Sequence, residues 1–246
     1  AGDLKSSIDI IGEDELADLS HSMNKLILEI NKLLENKHQL LLEVSHELRS
    51  PLARMQLLLA MLPEHKNITK LKEEIGFLEG MIENLLLSDR LSMPYSKLNM
   101  DTLTTSEILN KVLDMFPNTR EKVQVKNPIP DENIRIDETK FSLALRNLLD
   151  NAFKYNKKDS DIELTVSRHE DIEFQVKDFG IGISPENIQK IIQPFYQADQ
   201  TVSTKGFGLG LTICKKIIES HQGHLTISSV PGEGSAFTLH LPIIKT

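Results

Sequence analysis

Apolar residues recur at Leu16, Leu19, Met23, Leu26, Ile30 and Leu33 in alternating steps of three and four, and this spacing constrains the fold more than any other feature. Such a seam lies along one side of a helix and stays unburied until a second helix covers it. The next heptad position is Lys37, and the seam resumes in a new phase at Leu41, Val44, Leu48, Leu52, Met55, Leu59 and Leu62. The shift resembles an inserted stutter, which unwinds a supercoil locally. Pro51 falls inside the second run, where the lost backbone hydrogen bond predicts a kink. The helix is expected to stop near Pro63. A second stripe follows at Ile68, Leu71, Ile75, Leu78, Ile82 and Leu85, so a short link over 64–67 predicts an antiparallel hairpin. One hairpin leaves both stripes half exposed, and two hairpins close a four-helix bundle, which predicts a homodimer.

The periodicity breaks over Ser92–Thr102, which contains Pro94 and reads as a hinge. Beyond it, helices are predicted over Ser106–Phe116, Glu138–Tyr155, Pro185–Ile192 and Leu209–Ser220. Strands are predicted at Val123–Lys126, Asn133–Ile136, Ile162–Val166 and Ile172–Val176, with a closing hairpin of His224–Ser229 and Ala236–Leu241. The expected fold class is therefore multidomain: an all-α dimeric four-helix bundle followed by an α/β sandwich with a mixed sheet. The domains are placed at 1–34 for a signalling helix, 35–95 for the hairpin and 96–246 for the sandwich.

Composition narrows the functional class. A net charge of −8 over 246 residues argues against a nucleic-acid partner, which would call for gathered Lys and Arg. The single cysteine, Cys214, forms no internal disulfide and reads as a packed helical residue compatible with a reducing cytoplasm. No apolar run reaches the ~18 residues of a membrane span. The chain is expected to be soluble, with an upstream membrane segment lying outside it.

Three groups of residues carry chemistry. His46 lies between the seam positions Val44 and Leu48, so it is expected to point to solvent, where a neutral imidazole is a competent nucleophile. Glu47 beside it can orient the ring and take its proton, and Ser50 sits one turn on over the same face. An exposed His on a helix is usually a solvated residue; His-Glu followed by a proline on a dimerising helix is a narrower signal. Asn147 and Asn151 share a helix face in RNLLDNAFKYN, where amide oxygens suit a hard divalent cation, and Lys154 extends that face toward phosphate. The bland alternative is that they form the wet side of a helix buried through Leu145, Leu148, Leu149 and Ala152. The third group comprises Asp178 at a strand end, Gly180 and Gly182 in VKDFGIGIS, and Gly206, Gly208 and Gly210 in GFGLGL before a helix, where backbone amides can face phosphate oxygens. GFGLGL matches neither the dinucleotide fingerprint nor the P-loop.

In order and spacing these pieces resemble the sensor histidine kinases of two-component systems, from about Leu16 to the C-terminus. SHELRSPL is similar to the H box of that family, RNLLDNAFKYN to its N box, KDFGIGI to its G1 box, QPFYQAD to its F box and GFGLGLTI to its G2 box. EDELADLSHSMNKL is similar to the last helix of a HAMP module, which implies a membrane sensor upstream. The resemblance implies a Bergerat-type ATP-binding fold with ATP and Mg²⁺ as cofactors. His46 would be the phosphoacceptor and Glu47 its acid/base partner. Asn147 and Asn151 would hold Mg²⁺, Lys154 and Tyr155 would contact nucleotide, and Asp178 would read adenine. Gly180 and Gly182 would open a lid that Lys205, Gly206, Gly208 and Gly210 close beside the phosphates. It also implies a response regulator as the partner that receives the phosphoryl group on an aspartate.

The chain departs from the family pattern in two places. Ser50 stands where Thr or Asn is frequent, which bears on phosphatase activity toward the regulator. The span Gln193–Lys205 contains no Arg, leaving Lys205 as its cation. A scaffold that binds ATP without transferring phosphate, and a phosphatase-dominant enzyme, are the alternatives.

Overall fold

The computed structural model describes residues 15–63, 65–92, 98–127, 129–157, 160–197 and 207–243. The chain divides into two compact units, residues 1–96 and 97–246.

The first unit is two helices, α1 (Glu15–Ala60) and α2 (Lys66–Ser92). Helix α1 continues through Lys37, where the seam changes phase, and through Pro51. Three pairings show that the helices run antiparallel. Leu52, Ile75 and Ile82 are buried together with Leu59 and Leu86 against them. Gln56 Nε2 donates to Glu79 Oε2 at 2.9 Å. Toward the start of the hairpin, the buried Asp89 carboxylate takes Lys37 Nζ at 2.5 Å and pairs with His38 Nδ1 at 2.7 Å. Burial works against the Asp89 charge, but these two partners outweigh it and hold the carboxyl below its ordinary range. Six stripe residues, Val44, Leu48, Met55, Leu62, Leu71 and Leu78, remain between 42% and 52% exposed. They form the face the hairpin cannot cover by itself, and the upstream seam Leu16–Leu33 is exposed as well.

The second unit is an α/β sandwich. A five-stranded sheet has the order β2 (Val123–Lys126), β4 (Ile162–Arg168), β5 (Asp171–Asp178), β7 (Gly234–Pro242), β6 (His224–Val230). The β2–β4 pair is parallel and the other pairs antiparallel, so the sheet is mixed. Helices α3 (Thr105–Asp114), α4 (Glu138–Tyr155) and α6 (Gly210–Ser220) supply the second layer, and a single turn, α5 (Pro185–Ile188), lies on the path between β5 and α6. Alternation along the strands buries Ile162, Leu164 and Val166, and Ile172, Phe174 and Val176, on one face. Phe141 of α4 meets Phe174 edge-on at 5.1 Å, which locks the helix layer to the sheet.

Caps and buried polar pairs place the helices. Thr104 and Glu107 form a capping box at α3, and Asp137 caps α4 by accepting from the Lys140 amide. The Asp137 amide donates to His221 Nε2 at 2.9 Å, which fixes the ring as the Nδ1–H tautomer, donating to Ile217 O at 2.8 Å. Burial accordingly lowers the His221 pKa, and this histidine is a structural tie between α4 and α6. Cys214 is buried as expected, its thiol pushed up to about 12 by burial.

Two sequence expectations are corrected. The hinge is too long at its C-terminal end: β1 (Asp101–Thr104) pairs with β3 (Asn133–Ile136) in a separate two-stranded sheet, so residues 101 and 102 belong to the sandwich. The helix predicted over Pro185–Ile192 stops at Ile188, and the chain then turns through Phe195, whose φ is 64°. Residues 93–97, the core of the expected hinge, lie outside the described residues.

Candidate functional site

On α1, Ser45 and Leu52 are buried toward α2, one heptad apart, while His46, Glu47 and Ser50 are exposed. The 100° turn between Ser45 and His46 is enough to carry the imidazole to solvent. Pro51 has no amide hydrogen, so the Glu47 carbonyl one turn back loses its usual helical donor. Ser50 Oγ accepts from Arg54 Nη1 at 2.6 Å, which leaves the hydroxyl proton free to donate outward.

The second group assembles at one end of the sandwich. Asn147, Asn151, Lys154 and Tyr155 all lie on α4 and are half-buried, opposite Leu145, Leu148, Leu149 and Ala152. Asn147 also meets the start of α6. A Cβ added at Gly210 would stand 3.9 Å from its Cβ and Cγ. The Asn147 side-chain nitrogen is buried against the Cys214 thiol and makes no hydrogen bond of normal geometry to a described residue. Lys154 Nζ sits 4.8 Å over the Tyr155 ring.

Asp178 ends β5 and is 3% exposed, where it accepts the Gly180 amide at 2.9 Å and the Ser235 amide at 3.3 Å. Both fall on Oδ1, so Oδ2 retains acceptor capacity toward a ligand amino group. Burial raises the Asp178 pKa, with the Gly180, Ser235 and Asp178 backbone amides opposing the rise. The glycines are required by close backbone approach. A Cβ at Gly180 would fall 1.9 Å from the Tyr155 carbonyl oxygen, and one at Gly182 (φ +68°) 2.1 Å from that of Val230. Gly208 has φ +65° and touches the Phe195 backbone, whose amide donates to the Gly208 carbonyl at 3.0 Å. The N-box helix, the β5 end and both glycine loops thus converge, as their motif order suggests. Lys205 and Gly206 lie outside the described residues.

Sequence reasoning missed three supports. Asn156 Oδ1 accepts the Phe179 amide at 2.9 Å, coupling the end of α4 to the G1 loop. The Ser235 amide holds Asp178, and Gly234, at φ +124°, leaves space for the Asp178 carbonyl, which would lie 2.1 Å from an added Cβ. The glycine pair in PGEGS was the available signal, but it spoke only for a turn.

Asn147, Asn151 and Asp178 combine amide oxygens, a buried amide nitrogen short of a partner and a desolvated carboxylate, a donor set that fits a nucleotide with a hard cation. The fold around it is an α/β sandwich with a mixed sheet. Residues 136–245 match the family described as Histidine kinase-, DNA gyrase B-, and HSP90-like ATPase. The chain is 28% identical to sensor histidine kinase WalK of Bacillus subtilis, covering 88% of this chain and 38% of that one. It is 28% identical to sensor histidine kinase CpxA of Escherichia coli, covering 95% and 53%. Among solved structures it resembles full-length ShkA in complex with AMPPNP, at a TM-score of 0.67 and 26% identity over 83% of this chain and 45% of that one. Over most of its length the chain is thus similar to sensor histidine kinases, and its residues 136–245 carry the ATPase family match. It spans about half or less of the length of these curated relatives.

Proposed function

We propose that this chain transfers the γ-phosphoryl group of ATP to His46 and then to an aspartate of a response regulator. The observation that carries this reading is the exposed His46-Glu47 pair on a helix with an uncovered apolar stripe, in one chain with the Asn147–Asn151–Asp178 cradle. In the first step the imidazole lone pair forms the N–P bond, the bond from phosphorus to the β–γ bridging oxygen breaks, and ADP leaves. Glu47 receives the ring N–H proton. Asp178 orients the adenine amino group, and Lys154 with the backbone around Gly208 and Gly210 holds phosphate oxygens; positioning and charge neutralisation supply most of the rate in such transfers. Asn147 and Asn151 are the residues that would hold Mg²⁺, whose contribution is neutralisation of phosphate charge. In the second step the phosphoramidate N–P bond breaks as a regulator carboxylate takes the phosphoryl group.

Uncovered stripes on α1 and α2 support a homodimer, and the unbroken rod from Glu15 to His46 supports control by a HAMP-type module and a membrane sensor upstream. No helix among the described residues is long and apolar enough to cross a membrane. The Arg54-held Ser50 hydroxyl favours a second activity, hydrolysis of the phosphorylated regulator, which Ser50→Ala would reduce without reducing labelling of His46. Incubation with γ-labelled ATP and Mg²⁺ tests the main reading. An alkali-stable, acid-labile label that is absent from His46→Gln and chases to a regulator is expected. Label that persists in His46→Gln overturns the assigned acceptor, and nucleotide binding without any label favours a scaffold role.

A further inference from the structure

Away from the nucleotide cradle, on the solvent face of the five-stranded sheet, three strands bring metal-ligating side chains together. Asp171 opens β5, His224 opens β6, and His240 lies near the end of β7. The register makes this a built row, because His240 pairs directly with His224 on one side and with Glu173 on the other. The two imidazoles stack with centroids 4.1 Å apart and planes within 7°. One ligand atom from each of Asp171, His224 and His240 lies within 4.8 Å of the others. Asp178, at the opposite end of β5, belongs to the cradle, and the eight-residue strand separates the two places by about 23 Å at ~3.3 Å per residue.

We propose that Asp171, His224 and His240 form a binding site for a borderline-soft divalent cation of the Zn²⁺ class, distinct from the Mg²⁺ expected beside ATP. Two imidazoles and one carboxylate are a common three-ligand set for zinc, with a water completing the tetrahedron, whereas Mg²⁺ selects oxygen donors. Bringing the three atoms onto one ion needs only side-chain rotation at the exposed His224 and half-exposed Asp171 and His240. The surroundings also suit it. Ligating imidazoles usually keep a hydrogen-bond partner on the second ring nitrogen. His240 has one whichever nitrogen ligates: Glu173 Oε1 lies 3.5 Å from Nδ1, and Thr226 Oγ1 lies 2.8 Å from Nε2. An ion there would tie β5, β7 and β6 together at the ends remote from Asp178 and Ser235. Binding to the folded state alone would raise the melting temperature.

Calorimetric titration of Zn²⁺ into the whole chain, with Mg²⁺ in excess, tests the site. One Zn²⁺ per chain is expected here, with affinity falling about tenfold or more in both His224→Ala and Asp171→Asn, while His46→Gln leaves it intact. Circular dichroism checks that both variants fold. Co²⁺ used as a probe is expected to give a visible absorption band in wild type that both variants lose. Absence of binding, or an affinity that survives either substitution, overturns the proposal.

Discussion

The two units of this chain bury apolar surface in very different measure. Among the described residues, the α/β unit buries twenty-eight hydrophobic side chains, from Ile108 to Leu241, whereas the helical unit buries five, Ala17, Leu52, Ile75, Ile82 and Leu91. The sandwich closes its own core and can hold a precise cradle without help. The hairpin leaves a stripe exposed, and under the proposed function a second copy covers it. If the proposed transfer holds, this division lets regulation act on the helical unit that carries His46 while the nucleotide site stays intact.

The largest expected effect comes from the self-sufficient side. Phe174→Ala removes a ring that is 0% exposed and should cost about 3–5 kcal/mol of unfolding free energy, read by urea denaturation. A loss below ~1 kcal/mol would mean that the sandwich core is looser than its burial indicates. On the incomplete side, Leu48→Glu places an unpaired charge in the stripe and should raise the dimer dissociation constant by about 100-fold, roughly 3 kcal/mol, without changing nucleotide affinity. Sedimentation of wild type and variant would show it, and an unchanged constant would remove the stripe from the interface.

Asp89 and Asp178 sharpen the contrast, because their pKa values move in opposite directions. Asp89 is held low, so its stabilising contribution is present above the ordinary Asp value of 3.8 and fades as pH falls through its folded value. Asp178 is held high, so its contribution is present below 3.8 and is lost as pH rises through its folded value. Asp89→Asn should weaken the hairpin by about 1.5–3 kcal/mol at neutral pH, with the deficit shrinking in acid. Asp178→Asn should make the sandwich less sensitive to pH above 3.8 while weakening nucleotide binding. A deficit in Asp89→Asn that does not shrink in acid would contradict the pairing with Lys37 and His38. The smallest effect belongs to Gly208→Ala, which forces a side chain into φ +65° beside the Phe195 backbone and should cost about 1–2 kcal/mol, close to tenfold in nucleotide affinity. A fluorescent nucleotide titration reads it, and unchanged affinity would detach this loop from the phosphates.

Much of the fold was legible because the long elements have clean periods. Helix α4 and strands β2 and β3 begin and end where the pattern places them. Strand β1 was not legible, since DTLT is short and polar and exists only because β3 offers it a partner. The overlong α5 has the same origin: Ile188, Ile191 and Ile192 follow helical spacing, but tertiary packing turns the chain at Phe195. At the cradle, the residue types and their order were visible in the boxes. The Ser235 amide on Asp178 and the row Glu173–His240–His224 were not, because each depends on which strands become neighbours in the sheet.

The division into a self-sufficient unit and an incomplete one is tested most directly by sedimentation equilibrium of the whole chain beside residues 97–246 alone. A homodimer of the 27.8 kDa chain and a folded monomer of the isolated sandwich that still binds Mg·ATP are expected. A whole chain that remains monomeric at high concentration, or a sandwich that pairs by itself, would contradict it.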